Sequence, residues 1–137
     1  MGQALEHHLE AVFRAHEIAY VRGANTENKK KPDFLFPSEE AYRAVPDAGP
    51  ARLTMLGAKS SAKERWRQVL AEALKIPRKH LLTLQPAISV PQTDEMESSD
   101  LQLVVPQEIQ ASYTDDQRAW LWNVSDFIRH VRARASK

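Results

Sequence analysis

The chain has 137 residues, no cysteine and a formal net charge of +1. That is the size of one domain able to bury a core without staples, and the absence of cysteine excludes disulfides and thiolate metal sites. No apolar run approaches the ~20 residues that span a bilayer, and no secretory signal is visible, so the expectation is a soluble, cytoplasmic protein with no membrane partner.

In chain order, Leu5, Leu9, Val12, Phe13 and His16 recur at helical spacing, which predicts a helix over 4–17 with His16 packed near the core face. Ala19 to Arg22 reads as a short strand. After a polar stretch, Pro32 opens the apolar run Phe34-Leu35-Phe36, which Pro37 closes. A proline at the first position of a strand is tolerated because the lost N–H lies at the ladder's end. Ser38 caps a helical turn containing Glu39, Glu40 and Tyr42, and 46–50 is a loop. Arg52 to Ala58 is mostly apolar, as in a strand covered on both faces.

Ser60 or Ser61 is expected to cap a helix reaching Leu74, with Trp66, Val69, Leu70 and Ala73 at helical spacing and Pro77 beyond it. His80 to Gln85 reads as another buried strand. The stretch 89–100 reads as an acidic loop with at most one helical turn near Glu95, and Leu101 to Val105 as a strand ended by Pro106. A last helix is expected from Asp115 or Asp116 to Arg134. The order predicts an α/β domain with a central mixed β-sheet flanked by helices.

Charge is unevenly spread. Seven basic residues lie between Lys59 and Lys79, and seven acids with no base lie between Gln92 and Gln117. Such runs are as often solvated faces as binding surfaces.

The chemistry is concentrated at the ends of two neighbouring strands. Asp33 follows Pro32 at the mouth of the first, and Lys59 follows Ala58 at the end of the second. Hydrolysis of a phosphodiester needs an activated water and positive charge at the phosphate. Magnesium supplies both and is held by one or two carboxylates. Asp33 and Glu72 suffice as metal ligands, with Lys59 beside them to touch the phosphate and activate water, and Glu6 on the first helix as a further contact. The position two before Lys59, where such sites usually carry an acid, is Gly57. Glu72 must replace it from a helix folded back over the sheet, about 20 Å along the chain at ~1.5 Å per residue. Lys63, Arg65 and Arg67 flank the site as candidate phosphate contacts, which position a duplex without reading its sequence. No zinc-protease motif, glycine-rich phosphate loop or serine-hydrolase elbow is present.

The blocks Lys-Pro-Asp-Phe-Leu-Phe-Pro (31–37), Leu-Gly-Ala-Lys (56–59), Lys-Glu-Arg-Trp-Arg-Gln-Val-Leu-Ala-Glu-Ala (63–73) and Lys-His-Leu-Leu-Thr-Leu-Gln (79–85) resemble the catalytic domain of EcoRII-type restriction endonucleases, within the PD-(D/E)XK nuclease fold. The resemblance implies a restriction-endonuclease-like mixed sheet, a magnesium cofactor, and a homodimer cutting double-stranded DNA at a CCWGG-like site. By motif position Asp33, Lys59 and Glu72 match the catalytic residues. Glu6 best matches the family's first-helix glutamate, with Glu10 as the alternative. Ser60-Ser61-Ala62-Lys63 stands where the family shows Thr-Cys-Lys. Five residues precede Glu6 and none is basic, so a single nuclease domain truncated at its N-terminal side, without its base-reading segment, is expected. The alternatives are a catalytically weak or inactive remnant that binds DNA or dimerises, and a monomeric nicking or repair nuclease of the same fold.

Overall fold

A computed structural model describes residues 2–23, 32–44, 53–62, 65–74 and 76–135. Lys31, Arg52, Lys63 and the loop at 46–50, all assigned from sequence, lie outside the described residues. The elements are α1 (Gly2–Ala15), β1 (Val21–Arg22), β2 (Phe34–Phe36), α2 (Glu39–Arg43), β3 (Thr54–Lys59), α3 (Trp66–Val69), β4 (Lys79–Thr83), α4 (Val90–Ser98), β5 (Leu101–Val104), α5 (Gln107–Gln110), α6 (Asp115–Trp120) and α7 (Val124–Ala135).

The strands form one five-stranded sheet in the order β1-β2-β3-β4-β5. β1, β2 and β3 pair antiparallel, whereas β3, β4 and β5 pair parallel. The sheet is therefore mixed, as the element order predicts. Side chains alternate across a strand, and here both faces are apolar. Leu35, Met55, Leu81 and Leu103 join Trp66, Val69 and Met96 on one face, under α3 and α4. Phe34, Phe36, Leu56, Ala58 and Leu82 face the other way, under α1 and α7. There Phe13 of α1 sets its ring edge-on to Phe34 and Phe36, with centroids 5.2 and 5.3 Å apart.

Ser38 caps α2 as expected, its hydroxyl accepting from the Ala41 N–H at 3.1 Å. α1 stops earlier than its period suggests. Glu17 adopts a positive φ of 57°, the Ile18 N–H reaches the Phe13 carbonyl at 2.9 Å, and the Glu17 N–H reaches Arg14 at 3.0 Å. This left-handed cap ends the stripe before His16, which is exposed rather than packed, its Nδ1 2.9 Å from the Val12 carbonyl.

Three further departures have physical causes. The helix expected from Ser60 to Leu74 shrinks to α3, followed by tight turns through Glu72, and Ala73 has a positive φ of 48°. The ammonium of Lys79 gathers the carbonyls of Glu72, Ala73 and Ile76 at 2.7, 2.8 and 2.5 Å. Those carbonyls bend toward one buried cation instead of lining up along a helix. Neither serine caps α3. Gln85 instead pins the chain ahead of the helix: its Oε1 accepts from the Ala62 N–H at 2.8 Å and from the Ser61 hydroxyl at 3.2 Å.

The acidic segment after β4 is a helix, α4, not a loop. Only Thr93 and Met96 of it are buried, so it has little apolar stripe to reveal it. The last helix is broken into α6 and α7 at residues 121–123. There Trp122 bridges in parallel to Val104 of β5, and Asn123 and Asp126 cap each other's backbone N–H groups to start α7. The short α5 was not foreseen.

Candidate active site

The antiparallel pairing of β2 with β3 sets Phe34 opposite Leu56, so Asp33, one residue earlier, falls beside the end of β3. Its Oδ2 accepts the Ala58 N–H at 2.7 Å and lies 3.6 Å from Lys59 Nζ. Both side chains are largely withdrawn from solvent, at 18% exposure for Asp33 and 17% for Lys59. Buried Pro32 leads directly into the acid. The acid and lysine proposed from sequence thus stand together, fixed by one backbone hydrogen bond and one ion pair.

Glu6 joins them from α1. A cavity of about 260 Å³ is lined by Glu6, Arg22, Gly23, Pro32 and Asp33. Glu10, the alternative first-helix acid, is not among its lining residues and turns to a neighbouring network. Arg22 of β1 links the two glutamates, with Nη2 on Glu6 Oε1 at 2.5 Å and Nη1 on Glu10 Oε1 at 3.1 Å. The Tyr20 hydroxyl donates to Glu10 Oε2 at 2.9 Å. That hydrogen bond, helped by Arg22 and Arg14 and opposed by burial, holds the Glu10 carboxyl below its usual range. Burial, and then the hydrogen bond to Glu10, raises the Tyr20 phenol. The hydrogen bond to Glu6 raises Arg22 further, so it is a permanent cation.

Glu72 stands on the buried turn after α3, not within a long helix, and is 9% exposed. Its carbonyl is tied to Lys79. α3 crosses β3 so closely that Val69 fills the space in front of Gly57, which leaves no room for an acid on the strand itself. Among the described residues, no group of three or more acids or histidines is gathered as a metal-binding set. Asp33 and Glu6 line one cavity, and Glu72 is not among its lining residues. Two carboxylates beside an open cavity are hard oxygen donors of the kind magnesium takes, since it keeps several waters.

Of the candidate phosphate contacts, Arg65 is exposed. Arg67 stacks over the Trp66 ring at 4.5 Å and pairs with Glu95 of α4 at 2.8 Å. Lys63 is outside the described residues. Sequence reasoning missed Arg22, Lys79 and Gln85. Arg22 and Gln85 act through partners distant in the chain. Lys79 acts through nearby backbone carbonyls that periodicity does not show, and a lone arginine in a two-residue strand carries no local signal of such a role.

A mixed sheet with helices on both faces, presenting an acid and a lysine side by side from adjacent strands, is a restriction-endonuclease-like α/β fold. Two solved structures share it: metal-depleted Ecl18kI in complex with uncleaved, modified DNA (TM-score 0.82, 18% identity) and metal-depleted Ecl18kI in complex with uncleaved DNA (TM-score 0.79, 17% identity). Each comparison covers 98% of this chain and 45% of the other. The family model described as EcoRII C terminal matches residues 1–128, and the chain belongs to that family. The type II restriction enzyme EcoRII of Escherichia coli is 44% identical over 131 residues, or 95% of this chain. The chain spans 32% of that enzyme's length. Among the described residues, no helix is long and apolar enough to cross a membrane.

Proposed function

We propose that this chain is the DNA-cleaving core of a type II restriction endonuclease, hydrolysing duplex DNA at a CCWGG-like site with magnesium and acting as a homodimer. The observation that carries this reading is the Asp33–Lys59 pair on adjacent strands, in a chain of the EcoRII C-terminal family. Both relatives point the same way: EcoRII is a type II restriction enzyme, and Ecl18kI has been solved on DNA.

In this reading Asp33 and Glu72 would hold the metal, and Glu6 would add a carboxylate from α1. When bound, the metal supplies Lewis acidity at the phosphate and lowers the pKa of the attacking water. Asp33 arrives already oriented, because the Ala58 N–H fixes one of its oxygens. Lys59 brings a positive charge, shielded from bulk water, to the place where the phosphate becomes more negative. Charge held in a partly dry site acts more strongly than in water and needs no reorganisation during reaction. Arg65, Arg67 and Lys63 provide phosphate contacts, the part of binding that positions the duplex. Cutting both strands of a nearly palindromic site favours a two-fold dimer.

The test is incubation of the purified chain with duplex DNA containing CCWGG sites, with magnesium, with EDTA, and with the Asp33→Ala variant. Discrete fragments that need magnesium and vanish in the variant support the reading. Metal-dependent but random nicking removes the site-specific part of it. DNA binding without any cleavage overturns the enzymatic part.

A further inference from the structure

The cavity beside Asp33 holds more than acids. Among the described residues, it is lined by two carboxylates, Glu6 and Asp33, and by one cation, Arg22. Arg22 is forked between two partners whose situations differ. Glu10 is held from several sides: it accepts from Tyr20 and Arg22, and lies 3.6 Å from Arg14. Glu6 accepts its side-chain hydrogen bond, among the described residues, from Arg22 alone. Arg22 can therefore let go of Glu6 and keep a counter-ion, and Glu6 can turn from the guanidinium toward the cavity it already lines.

We propose that Arg22 is an internal counter-cation that competes with a divalent metal for Glu6. Without metal it neutralises Glu6 and keeps two carboxylates from facing each other across the cavity. When metal enters beside Asp33, Glu6 exchanges the guanidinium for the ion, and Arg22 stays on Glu10. This inference rests on the proposed metal site at Asp33. It makes a counter-intuitive prediction: removing a conspicuous ion pair should tighten metal binding. A purely structural Arg22 predicts the opposite, because loss of the pair would loosen Glu6 and weaken the site. Coulomb repulsion between a unit charge and a divalent ion several ångströms away, at the water-like dielectric of an open cavity, amounts to about three- to tenfold in affinity.

The experiment measures Mn2+ binding, by calorimetry and by loss of the free-ion electron paramagnetic resonance signal. It uses the wild type, Arg22→Gln, Glu6→Gln, the double variant Arg22→Gln/Glu6→Gln, and Asp33→Ala. Folding is checked by circular dichroism. Arg22→Gln is expected to bind Mn2+ about three- to tenfold more tightly, and the gain should vanish when Glu6 is also replaced. If the glutamine variant is unstable, Arg22→Met serves, because its apolar stem keeps the packing of Arg22 over the Phe34 ring. Unchanged or weaker binding in the arginine variants, with wild-type binding still lost in Asp33→Ala, overturns the competition while leaving the metal site standing. Wild-type binding that is absent, or indifferent to Asp33→Ala, overturns the metal site and the competition together.

Discussion

Val69 occupies the space that a side chain at Gly57 would need: a Cβ built on Gly57 would lie 2.8 Å from Val69 Cγ2. The glycine is what lets α3 close on β3 two residues before Lys59. Gly57→Ala is therefore expected to destabilise the fold by about 1–3 kcal/mol, the usual cost of overpacking a filled core. Val69→Ala in the same chain should recover most of that loss, so the double variant should fall near Val69→Ala alone. Urea denaturation of the four proteins checks this, and a Gly57→Ala protein as stable as wild type would remove the argument.

Lys79 is 4% exposed and gives its ammonium to three carbonyls. Replacement by methionine keeps the stem but takes the donors from Glu72, Ala73 and Ile76. A loss of about 2–4 kcal/mol is expected, since each hydrogen bond to a charged group counts for more than a neutral one. Backbone amides at 72–76 should exchange faster than those of β5. Equal exchange in both segments would show that Lys79 does not hold this turn.

His80 lies buried against Trp122, Phe127 and His130, with ring centroids 5.5, 5.3 and 4.9 Å away. Burial lowers its pKa from 6.5 to about 3, with His130, Arg78 and Arg134 nearby adding to the effect. Burial also lowers His130. Below 6.5 the unfolded chain takes up protons that the folded chain refuses, so stability is full above that pH. It declines as pH falls toward about 3. His80→Phe should flatten this decline between neutral and mildly acid pH. Denaturation curves across that window decide it, and a variant as acid-sensitive as wild type would locate the dependence elsewhere.

Arg67 and Glu95 are both exposed, so their ion pair adds at most about 1 kcal/mol to stability. Its interest lies in the proposed DNA contact. Glu95→Gln releases Arg67 and should strengthen binding to duplex DNA. Arg67→Ala should lower the slope of log K against log salt by about one. Fluorescence anisotropy with a short duplex at several salt concentrations measures both. An unchanged slope would remove Arg67 from the interface.

Much of the frame is legible in the chain because its signals are local. Pro32 and Pro37 bracket β2, β3 carries the apolar run Met55 to Ala58, and Leu5, Leu9 and Phe13 mark the buried face of α1. Asp33 and Lys59 could be placed together because strand ends adjoin when strands pair. What was illegible depends on partners that local periodicity does not show. Gln85, just beyond β4, pins the Ala62 N–H ahead of α3, and Lys79 curls the turn that periodicity reads as helix. α4 hid because it rests on the sheet through two residues. The break at Trp122 exists because its backbone joins β5, a preference that helical spacing conceals. Arg22 bridges Glu6 and Glu10 across more than ten residues of chain.

β3 is the strand at which pairing changes from antiparallel to parallel. The acid–lysine pair belongs to the antiparallel side, where Asp33 meets Ala58 across 25 residues of chain. Glu72 belongs to the parallel side, held by a knot only seven residues wide at the foot of β4. The two halves can open separately, because proteins unfold locally in contiguous units. In the proposed mechanism, local opening of the turn at Glu72 would withdraw that carboxylate while leaving the ion pair of Asp33 and Lys59 intact. On the proposed reading, cleavage would be lost on mild heating before secondary structure is, with the displaced glutamate as its cause.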